Sequence, residues 1–546
     1  MNTSRDSIYS LLIDLVRIPS VSPGPGETEL AQLIHDKLAE LPYFKINKSN
    51  LEFIPIPNDP FGRKAVFAIV KAEPETNRTI ILTGHLDVVD TSESRALSGL
   101  AFHPEEYTKR VAELDLPEEA ATDLQSGKYL FGRGVMDMKC GLAIEMALLA
   151  EYSRNPKDLP VNIAFLAVGD EENNSAGMRA AITYLANLQD AGMDFVACVN
   201  SEGIIPKYPG DKNRYVDIGT IGKIMPMFYC VGRESHVGQY YAGLNANLMS
   251  SAVNMLLEGN PDWAESWRGE VYPPPAALKQ RDLRELYSVT LPARAAIYFN
   301  HLTVTSTPAE ILEKMNEIAL KAFETAIDHV VDSANEFSEI AETPVPIPWD
   351  PKVITWHELF QEVAASFDGN LAEHVETFIN NIPDDADERD KSLYIVGELL
   401  RLYPDKRPMI VIGFLPPYYP HRANKRQSDR EIGLLEAVNQ VIDEARDRFD
   451  ETLAISEHFA SISDLSYVGF QGKREELLPL ALNTPGWGHV YDIPLDDLLK
   501  LDIPVVNLGP AGKDAHKFIE RLELDYSLEV VPQLLKSLIE KLARLK

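Results

Sequence analysis

The sequence predicts an α/β protein built on a central mixed, mostly parallel sheet, with a smaller α+β layer of ferredoxin-like outline inserted into it. Three observations point there. Residues 161–168 are almost wholly apolar and rich in branched side chains, the composition of a strand covered on both faces in a parallel sheet. Other short apolar runs alternate with amphipathic segments of helix length, the order of βα units. The middle of the chain instead reads strand, helix, strand, helix, the order of a small α+β layer.

Taken in order, Ile8, Leu11, Leu12, Leu15 and Val16 keep helical spacing up to Pro19. A Ser-, Pro- and Gly-rich loop at 20–26 leads to a second helix over about 27–41. Residues 65–71 and 79–83 read as strands, the second running into Gly84-His85-Leu86-Asp87. Residues 91–128 are acidic and irregular, an excursion over the surface. A short strand and turn at 129–134 reaches Asp137, and 140–152 is apolar on nearly all sides, a helix buried against the sheet. The 161–168 strand stops at Gly169 and three carboxylates, Asp170, Glu171 and Glu172. A helix over 176–189 and a strand over 195–200 follow, closing on Ser201-Glu202-Gly203. Near the end, a strand at 504–508 precedes the 509–516 loop with His516, and a final helix carries Val531, Leu534, Leu535, Leu538, Ile539 and Leu542.

Between these halves, 218–231 reads as one long strand, and Met249, Ala252, Val253, Leu256 and Leu257 share one face of a helix. A strand at 293–305 and a long helix at 309–337 complete the inserted layer. Residues 357–405 read as helical and polar, while 409–415 and 452–456 read as strands returning to the main sheet. The expected organisation is therefore a main domain at 1–217, the inserted layer at 218–355, a helical insertion at 356–405, and the rest of the main domain at 406–546.

Composition narrows the function. A formal charge of −31 and a pI near 4.8 argue against a sequence-independent nucleic-acid or anionic-membrane partner, which want basic patches. Cys140, Cys198 and Cys230 are too widely spaced for a disulfide framework or a cysteine-based zinc site. Asp14 and Arg17 interrupt what would be a signal-peptide core, and no apolar run approaches the ~18 residues that span a bilayer. The expected location is the cytoplasm.

Strand ends and turns deliver a set of potential metal ligands: His85 with Asp87, Asp137, Glu171 with Glu172, Glu202, and His516. In open α/β sheets, ligands bind beyond the carboxyl ends of strands. Imidazoles with carboxylates suit zinc, manganese or cobalt, and not copper or iron–sulfur chemistry. Two His and three of these carboxylates, five ligands, exceed the needs of one catalytic zinc with an open position, and suit two ions about 3.5–4 Å apart that share one carboxylate. The spacing His85-x-Asp87 puts a carboxylate within reach of the second imidazole nitrogen.

These residues resemble a family. Residues 84–89 (Gly-His-Leu-Asp-Val-Val), 132–139 (Gly-Arg-Gly-Val-Met-Asp-Met-Lys) and 169–172 (Gly-Asp-Glu-Glu) are similar to the signatures of the dizinc M20 peptidases and deacylases, among them carboxypeptidase G, succinyl-diaminopimelate desuccinylase, aminoacylase and acetylornithine deacetylase. Asn200-Ser201-Glu202-Gly203, Gly232 to His236 and Gly509 to His516 occur in the family's order. The length, the excursion at 91–128 and the helical 357–405 segment resemble the arginine-utilisation branch most. The resemblance implies a zinc-peptidase-like catalytic domain with an inserted lid and dimerisation domain. It implies that His85 and Glu202 hold one zinc, Glu172 and His516 the other, and Asp137 bridges them. Glu171 would be the general base that draws a proton from a water activated by both metals, and Asp87 would orient His85. His236 would reach the partner subunit's site in a homodimer and polarise the scissile carbonyl. The expected reaction is hydrolysis of an amide in a small peptide or N-acyl amino acid, in arginine or ornithine catabolism.

Two other readings stand beside this one: a catalytically silent, metal-stabilised binding protein, which has no need of Glu171, and a binuclear phosphoesterase, against which the chain offers no Walker-type glycine loop. One departure from the family concerns the lid strand, which commonly ends in Asp-x-Arg with the arginine gripping a substrate carboxylate. Here the stretch reads Asn300-His301-Leu302, leaving Arg294 or His301 as substitutes. Cys140 stands where a glycine is usual and is expected to be a small buried thiol. Asp464 is expected to orient a sheet loop, and His458, His489 and the basic 422–426 run to lie at the surface.

Overall fold

The computed structural model describes residues 1–545 except 205, 209, 212, 343, 384 and 385. The chain divides into two compact units, one of residues 1–221, 421–471 and 496–546, the other of 222–420 and 472–495.

The first unit is organised by an eight-stranded mixed sheet. Its order is Leu51–Pro55, Lys64–Val70, Asn162–Val168, Arg78–His85, Asp194–Asn200, Val505–Asn507, Arg214–Asp217 and Leu453–Ser456. The four strands from Asn162–Val168 to Val505–Asn507 run parallel. Every residue of Asn162–Val168 is buried. Ile163, Phe165 and Ala167 pack into one core with the helices Arg5–Val16, Lys139–Tyr152, Asp429–Phe449 and Val531–Leu542, and the intervening residues are buried on the opposite face. Coverage of both faces is why this strand lacks polar alternation. In register, His85 lies beside Val168, and Thr83 beside Asn200. Three neighbouring strands therefore end at one level.

A separate three-stranded sheet joins Tyr129–Phe131, Arg521–Glu523 and Gly512–Lys513. The 91–128 excursion packs here. Leu97, Ala101, Tyr107, Val111 and Ala120 form a small core with Phe131 and Ile519.

The second unit has a five-stranded sheet in the order Ala276–Asp282, Arg294–Thr303, Gly222–Val231, Met409–Tyr419, Val353–Thr355, antiparallel except for the last pair. The helices Ala246–Leu257 and Pro308–Ala341 pack on each other and on this sheet. The helices Trp356–Ser366, Leu371–Ile379 and Glu388–Leu402 share a second core with sheet residues Met225, Met227, Tyr229, Tyr298 and Val411.

Four sequence expectations change. The 218–231 strand begins only at Gly222, because the backbone breaks over 218–221, and a separate strand, Arg214–Asp217, precedes the break. At the break a Cβ on Gly219 would lie 2.5 Å from the Arg422 carbonyl oxygen and 2.6 Å from that of Glu457. Met409–Tyr419 pairs with Gly222–Val231, so it belongs to the second unit rather than returning to the main sheet. The 357–405 segment is amphipathic rather than polar throughout, with Trp356, Leu359, Val363, Leu393, Val396 and Leu399 buried. His458 and Arg422 are buried as well, Arg422 donating to the Ile503 carbonyl at 2.8 Å and pairing with Asp502 at 2.7 Å.

Close backbone contact ties the Lys139–Tyr152 helix to the end of Asp194–Asn200. A Cβ on Gly141 would stand 2.1 Å from the Ser201 carbonyl oxygen. Gly141→Ala is expected to lower stability by about 1–3 kcal/mol through overpacking. Gly99→Ala, with nothing within 4 Å of the added carbon, should stay within about 0.5 kcal/mol of wild type. Urea unfolding of the two variants makes the comparison.

Candidate metal centre

The level strand ends gather the charged residues. His85 terminates Arg78–His85, Glu171 and Glu172 follow Asn162–Val168, and Glu202 follows Asp194–Asn200. Asp137 sits in the turn before Lys139–Tyr152, and His516 in the loop between Gly512–Lys513 and Arg521–Glu523.

Two ligand groups result, His85–Asp137–Glu202 and Asp137–Glu172–His516, each with its donor atoms within 4.8 Å of one another. Asp137 belongs to both. Its Oδ1 is 3.1 Å from His85 Nε2, and its Oδ2 is 3.1 Å from His516 Nε2. Glu202 Oε1 lies 3.2 Å from His85 Nε2, and Glu172 Oε2 lies 3.1 Å from His516 Nε2. One carboxylate thus turns a separate oxygen toward each group, the arrangement that a bridging ligand needs. The donors are imidazole and carboxylate only, and the carboxylates outnumber the imidazoles. Two divalent cations fit that set.

The electrostatics agree with a site built around positive charge. Burial raises the carboxyls of Glu172 and Glu202 above their ordinary range, and the charge of Asp137 adds to both. Burial, with Glu172 and Asp464 adding and His85 opposing, pushes Glu171 well up. Asp137 goes the other way: burial would raise it, but hydrogen bonds from His516 and His85 hold it low. Hydrogen bonds to Asp137 and Glu172 lift His516 to about 10.

The cluster is held from behind by partners that the sequence does not advertise. His85 Nδ1 donates to the main-chain carbonyl of Asp87 at 3.0 Å, which leaves Nε2 facing the ligand groups. The Asp87 carboxylate is 3.8 Å from that imidazole, and accepts the N–H groups of Glu171 and Glu172 at 3.1 Å each. It therefore fixes the Glu171-Glu172 turn, and the main chain of Asp87 fixes the imidazole. Asp170 takes the left-handed conformation at φ 71°, accepts the N–H of Ala176 at 3.1 Å, and pairs with the buried Arg63 at 2.5 Å. Arg63 also holds Glu27 and Asp59. On the other side, Glu520 accepts the N–H of Met136 at 3.2 Å and pairs with Arg133 at 2.7 Å. Arg133 donates in turn to the His516 carbonyl at 2.8 Å.

Asp464 is fully buried within electrostatic range of His85, Asp87 and Glu171, and burial raises it to about 8. Cys140 is buried and free. The cleft over the centre is lined by Asp137, Glu171, Glu172, Glu202 and His516, with Met136, Phe459, Ile462 and Ala515 among its apolar wall.

The sequence matches the family model described as Peptidase family M20/M25/M40 over residues 81–432. The chain belongs to this family. It is 35% identical to uncharacterized protein YqjN of Bacillus subtilis (strain 168), covering 99% of this chain and 97% of that protein. It is 31% identical to Protein RocB of the same organism, over 97% of this chain and 94% of RocB. Among solved structures, aminopeptidase PepT from Bacillus cereus ATCC 10987 shares the fold at a TM-score of 0.53 and 12% identity, covering 99% of this chain and 100% of that one. The protein is thus an M20-family hydrolase.

The second unit carries the remaining residues of interest. His236 is exposed in a turn, where its Nδ1 accepts the N–H of Gly238 at 3.1 Å. His301 is buried against Trp263 and lies 3.7 Å from Glu265, and Arg294 donates to the Gly397 carbonyl at 3.2 Å. Both candidate substitutes for the lid arginine are therefore engaged inside their own unit.

Removing the Asp87 carboxylate strands two buried N–H groups at the turn that carries Glu172. Asp87→Ala is expected to weaken metal binding by about 10–100-fold, read by competition against a chelating dye. Unchanged affinity would show that the turn holds itself.

Proposed function

We propose that this M20 hydrolase cleaves the amide bond of an N-acyl amino acid or small peptide, with two divalent metals, zinc first and manganese or cobalt next, held by His85, Asp137, Glu172, Glu202 and His516. The observation that carries the reading is the shared Asp137, with one oxygen toward each ligand group and Glu171 buried beside them. Metals bound there supply Lewis acidity to the scissile carbonyl and to the attacking water. Glu171 accepts the proton of that water and delivers it to the leaving amine. Burial first, and then the charges of Glu172 and Asp464, raise its basicity. A silent binding protein has no use for a buried base in that position, and the chain offers no Walker-type glycine loop for a phosphoesterase.

The second unit acts as the lid and pairs two chains, and the exposed His236 polarises the carbonyl in the partner's site. Substrate choice follows from charge. The chain carries a formal charge of −31, and a field of one sign concentrates ligands of the other. The lid position that usually grips a carboxylate is Leu302. Together with the likeness to RocB and its arginine-utilisation branch, this favours an amide carrying a cationic side chain, such as an arginine or ornithine derivative. The cellular setting is the cytoplasm. The three cysteines are free and buried, and among the described residues no helix is long and apolar enough to cross a membrane.

Glu171→Gln should keep both metals and lose about 10²–10⁴ in kcat, whereas Glu172→Gln should lose a metal. Elemental analysis beside turnover on one good substrate separates these outcomes, and wild-type turnover by Glu171→Gln would remove it as the base. For the substrate, kcat/KM is compared for matched N-acyl-arginine, N-acyl-leucine and N-acyl-glutamate at two salt concentrations. Arginine should lead by a margin that narrows with salt, and equal values would end the cationic reading while sparing the hydrolase. Mixing His236→Ala with Glu171→Gln chains should restore part of the activity if the lid works in trans.

A further inference from the structure

The two ligand groups are not equally built. His85 and Glu202 sit at strand ends with side chains 1% and 7% exposed. His516 is 53% exposed, on a loop between strands of two and three residues. Its backbone is left-handed at φ 68°, and so is that of Asp514 at φ 57°. Neither burial nor a long strand holds this imidazole in place.

Arg133 grips the main chain of His516, and the 91–128 excursion holds the hairpin on either side of it. Asp123, on the helix Glu118–Ser126, accepts from Arg521 Nε at 2.7 Å and from Lys513 Nζ at 2.9 Å, one residue on each strand of the hairpin. Arg521 is fully buried and reaches back across the loop to Asp514 at 2.6 Å. Tyr107, on the helix Pro104–Arg110, donates its hydroxyl to the Phe518 carbonyl at 2.8 Å. Ile519, three residues beyond His516, is 4% exposed in the excursion's own apolar core. Buried charge-assisted pairs of this kind fix geometry as well as contribute energy. No excursion residue lines the cleft over the centre.

We infer that the 91–128 excursion is a clamp that sets the position of His516, with Asp123 and Tyr107 as positioning residues, so that it tunes the Glu172–His516 metal site and leaves the His85–Glu202 site alone. The inference rests on the two-metal reading given above. It assigns a role to a segment whose sequence offers only acidity and irregularity.

The test uses the full-length chain freed of metal and titrated with zinc by calorimetry, with hydrogen exchange of the same samples. Wild type should take two equivalents. Asp123→Asn, which removes the charge and keeps the shape of the side chain, should keep the first and weaken the second by about 10–100-fold. It should also speed exchange across 512–523 while leaving 78–85 and 194–200 unchanged. Tyr107→Phe, which deletes one hydroxyl, should do the same to a smaller degree, and Asp123→Glu should recover most of the second affinity. Two tight equivalents in Asp123→Asn beside two in wild type overturn the clamp and leave the two-metal reading intact. Equal weakening of both sites, or faster exchange throughout, also overturns it. One equivalent in wild type overturns both readings together.

Discussion

A carboxylate that faces two imidazoles at once must be held in one plane, and the first unit is arranged to hold Asp137 that way. Each of its oxygens lies 3.1 Å from a different Nε2. A rotation of the group would break both contacts, so its loop is pinned by Glu520 through the N–H of Met136. Glu520 is in turn neutralised by Arg133, which also grips the main chain of His516. The opposite wall repeats the device, with Arg63 paired to Asp170, Glu27 and Asp59 behind the Glu171-Glu172 turn. A chain with a formal charge of −31 thus spends buried arginines where carboxylates crowd.

Much of this was legible from residues alone. Apolar runs that stop at carboxylates identify strands that end at a site, and the structure places His85, Glu171, Glu172 and Glu202 at the ends of three adjacent ones. The supporting partners were not legible, because they are ordinary charged residues far away in sequence. Arg63 lies on Lys64–Val70's threshold with no motif around it, and Asp123 sits in an acidic helix that reads as surface. The break at Gly219 escaped notice because the apolar character of 218–231 runs straight through it. Only the carbonyls of Arg422 and Glu457, brought close by tertiary folding, require a residue without a side chain there. Asp87 shows a subtler limit: spacing placed its carboxylate near His85, yet the main-chain carbonyl is nearer and the carboxylate serves the neighbouring turn.

The second unit teaches the same point from packing. Its 357–405 helices look polar when counted by composition, and they are polar on one face only. The other face supplies Leu359, Val363, Val396 and Leu399 to a core shared with the sheet. His301 attracts attention as a titratable group at a family position, but the fold turns it inward against Trp263, so its chemistry is structural.

The order of the ligands along the chain has a consequence for synthesis. His85, Asp137, Glu172 and Glu202 all precede the second unit, and His516 follows it. With roughly 300 residues between Glu202 and His516, a ribosome adding about 5–20 residues per second needs about 15–60 s to bridge the gap. Throughout that interval the nascent chain holds all three residues of one ligand group and two of the other's three. The Asp194–Asn200 strand meanwhile lacks its Val505–Asn507 neighbour and presents an open edge. Glu520, which pins the Asp137 loop, also follows the gap, so both ligand groups take their final form only near termination.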